Sequence, residues 1–205
     1  MATEDRIRWD KIYRQRRSQP YPAPDPLLYE YTPPVTLDEE RRALDLAAGL
    51  GQNGLWLAGQ GYIVDIMDIS RVALNRARTE MTSRNLRNAN LLVVDLDALE
   101  LHTNYYDVLC VFRYLKRSLW DDMKNAVKPG GRLIYESYNL HYLDLVPEFN
   151  TNFLLHYGEL KDLFSNWNIV FESEVDHISQ IVAIKPPEAP LESEEDIEKP
   201  PDLNW

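Results

Sequence analysis

The sequence predicts one α/β domain in which a doubly wound, mostly parallel sheet is closed by an antiparallel hairpin. Short apolar runs alternate with helical patterns through most of the chain, which is typical of parallel strands with helices on both faces. The last two apolar runs follow each other almost directly, which indicates a hairpin. With 205 residues the chain can bury one core without disulfides.

Each predicted strand is a run of mostly apolar or β-branched residues bounded by turn-forming residues. In chain order, the strands are expected at residues 42–46, 62–67, 90–94, 107–112, 132–138, 168–175 and 179–185. The first five alternate with helical patterns, so we expect them to be parallel and joined by right-handed crossovers. The last two form the antiparallel hairpin.

Helices are expected where apolar residues recur at helical spacing between caps and breakers. The predicted helices cover residues 6–17, 53–60, 70–85, 118–127 and 158–166. Ser70 is a suitable N-cap for the third helix, and Gly61 ends the second. Pro129 and two following glycines end the fourth. Six prolines within residues 20–34 exclude a long helix there and predict a connector.

Charge and proline content divide the chain into three parts. Of the formal net charge of −11, a large share comes from residues 186–205, which hold seven acids against one lysine. This segment is predicted to be a disordered acidic tail; the alternative is a segment that docks through Leu203 and Trp205. Residues 1–34 are predicted to form an N-terminal helix and connector that act as a lid. Residues 35–185 are the main domain.

Composition excludes several classes of protein. Cys110 is the only cysteine, so the chain forms no internal disulfide, and no Cys/His pattern indicates a metal site. No signal-peptide pattern and no run of 18 apolar residues is present, which predicts a cytoplasmic protein that does not span a membrane. The acidic total makes nucleic-acid binding an unfavoured function, although the arginines of residues 6–17 leave local contact open. Nothing in the sequence indicates the oligomeric state.

Residues after the first three strands predict an adenosine site. In a doubly wound sheet, ligands bind beyond the carboxyl ends of the strands. Asp45 ends the first strand, and the small residues of 47–54 allow the backbone to approach a ligand closely. Asp68, after the second strand, can accept both hydrogen bonds of a ribose diol. Asp95, after the third, can accept a hydrogen bond from an adenine amino group.

The glycine spacing leaves two adenosine cofactors to consider. Gly49, Gly51 and Gly54 satisfy the dinucleotide-binding pattern G-x-G-x-x-G, and Asp68 lies at a distance suited to NAD. Asp45, however, would repel the dianionic pyrophosphate of a dinucleotide. A carboxylate at this position suits the positive amine of S-adenosylmethionine, which is therefore the favoured cofactor.

Several sequence blocks, in a fixed order, resemble class I S-adenosylmethionine-dependent methyltransferases, which have a Rossmann-like fold. These blocks cover residues 44–58, 61–74, 93–101, 106–115, 127–138 and 152–164. Within that class the chain resembles the tellurite-resistance methyltransferase family and its relatives. The W-D-x-x-Y motif that begins at Trp9 is similar to the start of that family. Ala47 and Ala48 depart from the family pattern, which has Gly-Cys there.

The resemblance implies a cofactor role for eleven residues. They are Asp45, Ala47, Gly49, Gly51, Asn53, Asp68, Ile69, Asp95, Leu96, Val111 and Phe112. Asp45 would hold the methionine amine, directly or through water, and the small-residue loop would line the methionine half. Asp68 would bind the ribose hydroxyls, and Ile69 would pack on the adenine. Asp95 and Leu96 would contact the adenine edge.

The implied reaction is methyl transfer to a small-molecule acceptor, with S-adenosylhomocysteine as the product. Arg113 and Tyr114 would border this substrate. No catalytic base is legible in the sequence, which is consistent with a soft nucleophile such as a thiol, tellurite or selenite that needs no strong base. Tyr135 and Tyr138 are three residues apart on one strand, so they are expected on opposite faces. An RNA- or protein-modifying methyltransferase and a non-catalytic adenosylmethionine-binding module remain alternatives.

Overall fold

A computed structural model of the chain describes residues 2–36 and 38–187, and within these residues seven strands form one sheet. All but the first two residues of the predicted tail lie outside the described residues. The strands are β1 (Arg42–Leu46), β2 (Ile63–Asp68), β3 (Ala89–Val93), β4 (Tyr106–Phe112), β5 (Val127–Tyr138), β6 (Asn168–Val175) and β7 (Ile178–Ile184). The predicted α/β class is confirmed.

Helices cover both faces of this sheet. They are α1 (Ala2–Gln15), α2 (Pro26–Tyr31), α3 (Gln52–Gly59), α4 (Arg71–Ser83), α5 (Trp120–Ala126) and α6 (Glu159–Leu163). Short 3-10 turns lie at Arg117–Leu119, Leu140–Asp144 and Thr151–Phe153. Side chains of α5 and α6 pack in the core on one face, and those of α2, α3 and α4 pack on the other. Ser70 caps α4 as predicted, because its hydroxyl accepts a hydrogen bond from the Ala73 amide.

The strand order is β3-β2-β1-β4-β5-β7-β6. Strands β1 to β5 are parallel, whereas β7 is antiparallel to both β5 and β6. The winding reverses between β1 and β4, which are adjacent although β2 and β3 separate them in the chain. A crevice at the carboxyl ends of these two strands is where ligands bind in such sheets.

Strand β5 begins earlier than the sequence predicts. It starts at Val127, opposite Tyr106 of β4, instead of after the Pro-Gly-Gly segment. The Gly130 amide donates to the Lys185 carbonyl, and the Lys185 amide donates to the Gly131 carbonyl. Because neighbouring backbone on both sides supplies partners, the proline and glycines do not end the pairing here. The preceding helix is correspondingly shorter than predicted.

The proline-rich connector contains the short helix α2. Asp25 is its N-cap, with the carboxylate accepting a hydrogen bond from the Leu27 amide at 3.0 Å, and Pro26 is its first residue. Leu27 and Leu28 are buried in the core beneath the sheet face that also carries α3. The connector is therefore anchored to the domain over part of its length.

Helix α3 packs unusually close to β2. A methyl group placed on Gly54 would lie 2.5 Å from Cγ1 of Ile66 and 3.1 Å from Cβ of Asp45. Only a glycine allows this approach, which brings the first turn of α3 against the carboxyl ends of β1 and β2. Gly59, in the last turn of the same helix, has no atom within 4 Å of such a methyl group.

None of the helices in the described part of the chain is both long and apolar enough to pass through a lipid bilayer.

Gly54→Ala is expected to lower the free energy of unfolding by about 1–3 kcal/mol, because the added methyl overpacks the contact between α3 and β2. Gly59→Ala is the matched control. It should leave stability unchanged or raise it by up to about 1 kcal/mol, since alanine is the better helix former. Urea unfolding of both variants measures this. Equal destabilisation of the two would contradict the packing described above.

Candidate functional site

Asp45 joins the end of β1 to the start of α3. Its side chain is buried, with 1% of the residue exposed. One carboxylate oxygen accepts a hydrogen bond from the Gly54 amide at 2.7 Å, and the Cys110 thiol lies 3.7 Å from the other. Burial raises the pKa of Asp45 to about 7 despite these hydrogen bonds. The carboxyl group thus satisfies an amide in the first turn of α3.

Asp68 performs a similar role at the end of β2. Its Oδ2 accepts a hydrogen bond from the Gly49 amide at 2.7 Å, and its Oδ1 accepts one from the Ser70 amide at 2.8 Å. Burial raises the pKa of Asp68 to about 6. Asp68 therefore holds the small-residue loop, residues 47–54, against the segment that starts α4.

Three residues of this loop have left-handed backbone. Ala47 has a φ of 54°, Gly49 a φ of 57° and Gly51 a φ of 72°. For an alanine this conformation is strained, and such strain is concentrated at functional sites. A methyl group on Gly49 would lie 2.5 Å from the hydroxyl oxygen of Tyr13, so the loop backbone is closely covered from the side of α1.

Helix α1 lies over the loop through the W-D-x-x-Y motif. The Asp10 carboxylate accepts hydrogen bonds from the Ser70 hydroxyl at 2.6 Å and from the Val72 amide at 3.2 Å, at the N-terminus of α4. Burial, reinforced by the charge of Asp68, raises the pKa of Tyr13 above its usual range. Trp9 stacks on Tyr13 with ring centroids 6.0 Å apart.

The connector continues this cover toward the rest of the loop. The Tyr21 hydroxyl donates to the Leu50 carbonyl at 2.5 Å. The buried Asn53 side chain accepts a hydrogen bond from the Asp25 amide at 2.9 Å. Asn53 therefore fixes the start of α2 against the first turn of α3.

The residues predicted to contact adenine lie together beyond β2 and β3. The Val94 amide donates to the Asp68 carbonyl at 3.1 Å, which brings the loop after β3 beside the end of β2. Asp95 is half-buried, and its carboxylate accepts a hydrogen bond from the Asp97 amide at 3.0 Å. Leu96 is buried, and Ile69, next to Asp68, is half-buried.

The four predicted residues at the end of β4 differ in burial and in the face of the sheet on which they lie. Val111 is fully buried in the core, and Phe112 is half-buried on the opposite face. Arg113 is exposed and has a left-handed φ of 60°. Tyr114 is half-buried, and its carbonyl accepts a hydrogen bond from the Tyr135 hydroxyl.

Sequence reasoning did not assign Asp10 or Tyr13 to the site, although the motif that carries them is legible. It also did not single out Glu136, a buried acid of β5 that lies opposite Phe112 at the end of β4. Asp25 was missed too; its signal is the Asp-Pro pair at the start of α2, where aspartate is the N-cap and proline the first helical residue. Within residues 2–36 and 38–187, no three His, Cys, Asp or Glu side chains are grouped so that they could hold a metal ion.

Asp45→Asn is expected to change the pH dependence of stability. Because the folded pKa of about 7 lies above the unfolded value of about 3.9, wild-type stability falls as pH rises through this window. The asparagine keeps an acceptor for Gly54 but does not ionise. Relative to wild type, the free energy of unfolding of the variant should rise by about 1–3 kcal/mol between about pH 5 and about pH 8. Thermal unfolding at both pH values measures this. A difference that is the same at both pH values would contradict this.

Comparisons with known proteins identify a matching family and similar folds. The family model described as "Tellurite resistance protein TehB" matches residues 33–181. No curated protein matches the chain. The structure reported for conversion of a disulfide bond into a thioacetal group during echinomycin biosynthesis superposes with a TM-score of 0.67 and 20% identity, covering 90% of this chain and 94% of that one.

Two further structures have similar folds. TehB from Haemophilus influenzae has a TM-score of 0.62 at 17% identity, with 78% of this chain and 65% of that chain covered. Geranyl diphosphate C-methyltransferase from Streptomyces coelicolor A3(2), in complex with Mg²⁺, geranyl diphosphate and S-adenosyl-L-homocysteine, has a TM-score of 0.64 at 11% identity, with 78% and 75% covered. The family match, which spans most of the chain, shows that the protein belongs to the TehB family and is an S-adenosylmethionine-dependent methyltransferase.

Proposed function

We propose that the protein methylates a small-molecule acceptor at the carboxyl edge of β1, β2 and β4. The observation that carries the proposal is the pair of buried carboxylates, Asp45 and Asp68, which accept hydrogen bonds from the loop of small residues and fix its shape at the carboxyl ends of the strands. The names of two structural neighbours refer to echinomycin biosynthesis and to geranyl diphosphate, which supports a small acceptor here. The unpaired, buried thiol of Cys110 is in keeping with a cytoplasmic location, which is part of the proposal.

Asp68 has the acceptor capacity that a ribose diol requires. A carboxylate offers about four lone-pair positions; the Gly49 and Ser70 amides occupy two of them, and the Ile69 amide also stabilises the carboxylate. The remaining acceptor capacity would serve the ribose hydroxyls. Ile69 and Leu96 would supply apolar contact for the adenine, and Asp95 would accept a hydrogen bond from its amino group.

Asp45 would hold the positive methionine amine from its buried position beneath the loop. Because its carboxylate is buried and bonded to Gly54, we propose that it acts through a water molecule or through its charge. The backbone of Ala47, Gly49 and Gly51 would line the methionine half, with Asn53 fixing the turn that follows. Val111 and Phe112 would border the sulfonium from the end of β4.

Bound S-adenosylmethionine supplies a methyl group that is already activated on a positive sulfur. The chain then needs mainly to orient the acceptor and to exclude water. We propose that residues 1–34 act as a lid for this purpose, because Asp10, Tyr13 and Tyr21 contact the loop or its neighbouring helix. A soft nucleophile, such as a thiol, tellurite or selenite, suits a site of this kind.

Asp68→Asn should weaken S-adenosylhomocysteine binding by about 1.5–3 kcal/mol, roughly 10- to 150-fold in Kd, because it removes hydrogen bonds to a charged acceptor. Asp65→Asn, on the same strand, is the control and should change Kd less than about 3-fold. Its carboxylate already accepts hydrogen bonds from Asn90 and Tyr106. Titration calorimetry measures both. NAD binding that requires an intact Asp68 would instead make NAD the cofactor.

The lid proposal predicts that S-adenosylhomocysteine slows amide hydrogen exchange across residues 6–17 by about 10-fold, because the ligand stabilises the closed position of α1. Exchange in the hairpin of β6 and β7 should not change and is the internal control. If exchange in residues 6–17 slows with RNA and not with S-adenosylhomocysteine, the segment is a nucleic-acid arm and the RNA-modifying alternative is preferred.

A further inference from the structure

A charged cluster lies beside the expected methyl-transfer position, on one face of β5. Glu136 and Tyr138 point to this face, since they are two residues apart on the strand. Glu136 is opposite Phe112, the last residue of β4, and opposite Gln180 of β7. The cluster is therefore next to the strand end where the sulfonium is proposed to lie.

Glu136 is the buried centre of this cluster, with 4% of the residue exposed. Its Oε1 lies 2.8 Å from Nη2 of Arg113 as an ion pair and has no hydrogen-bond partner among the described residues. Its Oε2 accepts a hydrogen bond from the Gln180 amide. Burial, and then the charge of Asp25, raise the pKa of Glu136. Glu136 is thus a buried carboxyl group whose described partners are the Arg113 guanidinium, the Gln180 amide and the Asp25 carboxyl group.

Asp25 connects the cluster to the cofactor loop. Its amide donates to Asn53, which lies in the first turn of α3, while burial raises the pKa of its own carboxyl group. The charges that face Glu136 are thus Asp25 from the connector and Arg113 from the end of β4, with the uncharged Gln180 from β7. This arrangement ties Glu136 to the same loop that Asp45 and Asp68 hold.

Arg113 also connects Glu136 to an aromatic surface. Its guanidinium carbon lies 4.8 Å from the ring centroid of Tyr138. The Tyr138 and Tyr142 rings are stacked, with centroids 4.1 Å apart and planes 24° apart, and His177 lies 6.0 Å from Tyr138. A flat ligand that displaced the exposed Arg113 guanidinium would contact both the face of the Tyr138 ring and the buried Glu136 carboxylate.

We propose that Glu136 is a catalytic base for an uncharged aromatic acceptor that carries an S–H or O–H group and packs against Tyr138. This inference rests on the proposed function. As the acceptor sulfur or oxygen bonds to the methyl carbon, the carbon–sulfur bond of S-adenosylmethionine breaks and leaves neutral S-adenosylhomocysteine. The acceptor proton passes to the Glu136 carboxylate, so charge and atoms balance.

The same residues disfavour an inorganic oxyanion as acceptor. A catalytic base serves an acceptor that has a proton to lose, whereas a tellurite or selenite ion is already anionic and gains nothing from it. Among the soft nucleophiles considered above, the cluster therefore favours a thiol.

The test compares two aromatic thiols, benzyl mercaptan, which is protonated at neutral pH, and 4-nitrothiophenol, which is ionised. S-adenosylhomocysteine formation is measured for wild type and Glu136→Gln. General-base catalysis typically contributes 10²–10⁴-fold, so Glu136→Gln should lower kcat for benzyl mercaptan at least about 100-fold. For 4-nitrothiophenol, which has no proton to lose, the loss should stay below about 3-fold.

Glu172→Gln is the matched control, because Glu172 is exposed on β6 and pairs only with Lys161 among the ion pairs described. It should leave both rates unchanged. Tyr138→Leu should raise KM for benzyl mercaptan about 10-fold while kcat changes less than about 3-fold, since it removes the aromatic contact.

The outcomes separate the two proposals. If wild type binds no S-adenosylhomocysteine, the proposed function fails. Three results would show that the inference about Glu136 is wrong while the proposed function stands. Wild type binds S-adenosylhomocysteine but methylates tellurite faster than either thiol, or it methylates neither thiol nor the aromatic alcohol 2-naphthol, which carries an O–H group. The third result is that Glu136→Gln lowers both thiol activities equally.

Asp25→Asn provides a second test should Glu136→Gln not fold, because asparagine is an equally good N-cap for α2. Removing the Asp25 charge lowers the pKa of Glu136, so the pH at which benzyl mercaptan methylation falls to half should move to lower pH. An unchanged pH profile would overturn the inference.

Discussion

The hydrogen bonds that buried carboxylates accept from backbone amides determine the geometry at the carboxyl ends of the strands. Asp45 bonds the Gly54 amide in the first turn of α3, and Asp68 bonds the Gly49 and Ser70 amides. Burying a carboxylate is unfavourable unless such donors compensate it, and the amides at helix starts also lack partners within their own helices. The carboxylates therefore gain donors and the amides gain acceptors, and these hydrogen bonds fix the conformation of the loop between β1 and α3.

The segment before β1 completes this edge. Asp10 bonds the start of α4, Tyr13 covers Gly49, and Tyr21 bonds the Leu50 carbonyl. These contacts come from side chains of α1 and the connector, the segment proposed as a lid. Such a lid would suit methyl transfer, in which the cofactor must enter and water must then be excluded.

Local patterns predict most of the fold. The bounds of β1 and β6 agree with the predicted ones, and the hairpin follows from two adjacent apolar runs. The predicted start of β5 was wrong, because backbone pairing with β4 and with Lys185, the residue after β7, outweighs the strand-breaking effect of Pro129 and the two glycines that follow it. Helix α2 was also missed, although an N-cap aspartate followed by proline is a recognisable signal.

The site was only partly predictable, for a different reason. Strand-end acids such as Asp68 are visible because topology alone brings them to one edge. The approach of Asp25 to Glu136 depends on how the connector folds back over the sheet, and these residues are far apart in the sequence. The left-handed backbone of Arg113, which places its guanidinium between Glu136 and Tyr138, has no sequence signal either, because arginine rarely adopts it.

A crystal structure with S-adenosylhomocysteine bound would test the central claim most directly. The account predicts that the ribose hydroxyls lie within hydrogen-bond distance of Asp68, that the sulfur lies beyond β4 near Phe112, and that Tyr13 covers the ligand. A ligand bound at the opposite edge of the sheet, for example in the cavity lined by Arg41, Asp107 and Gly130, would contradict it.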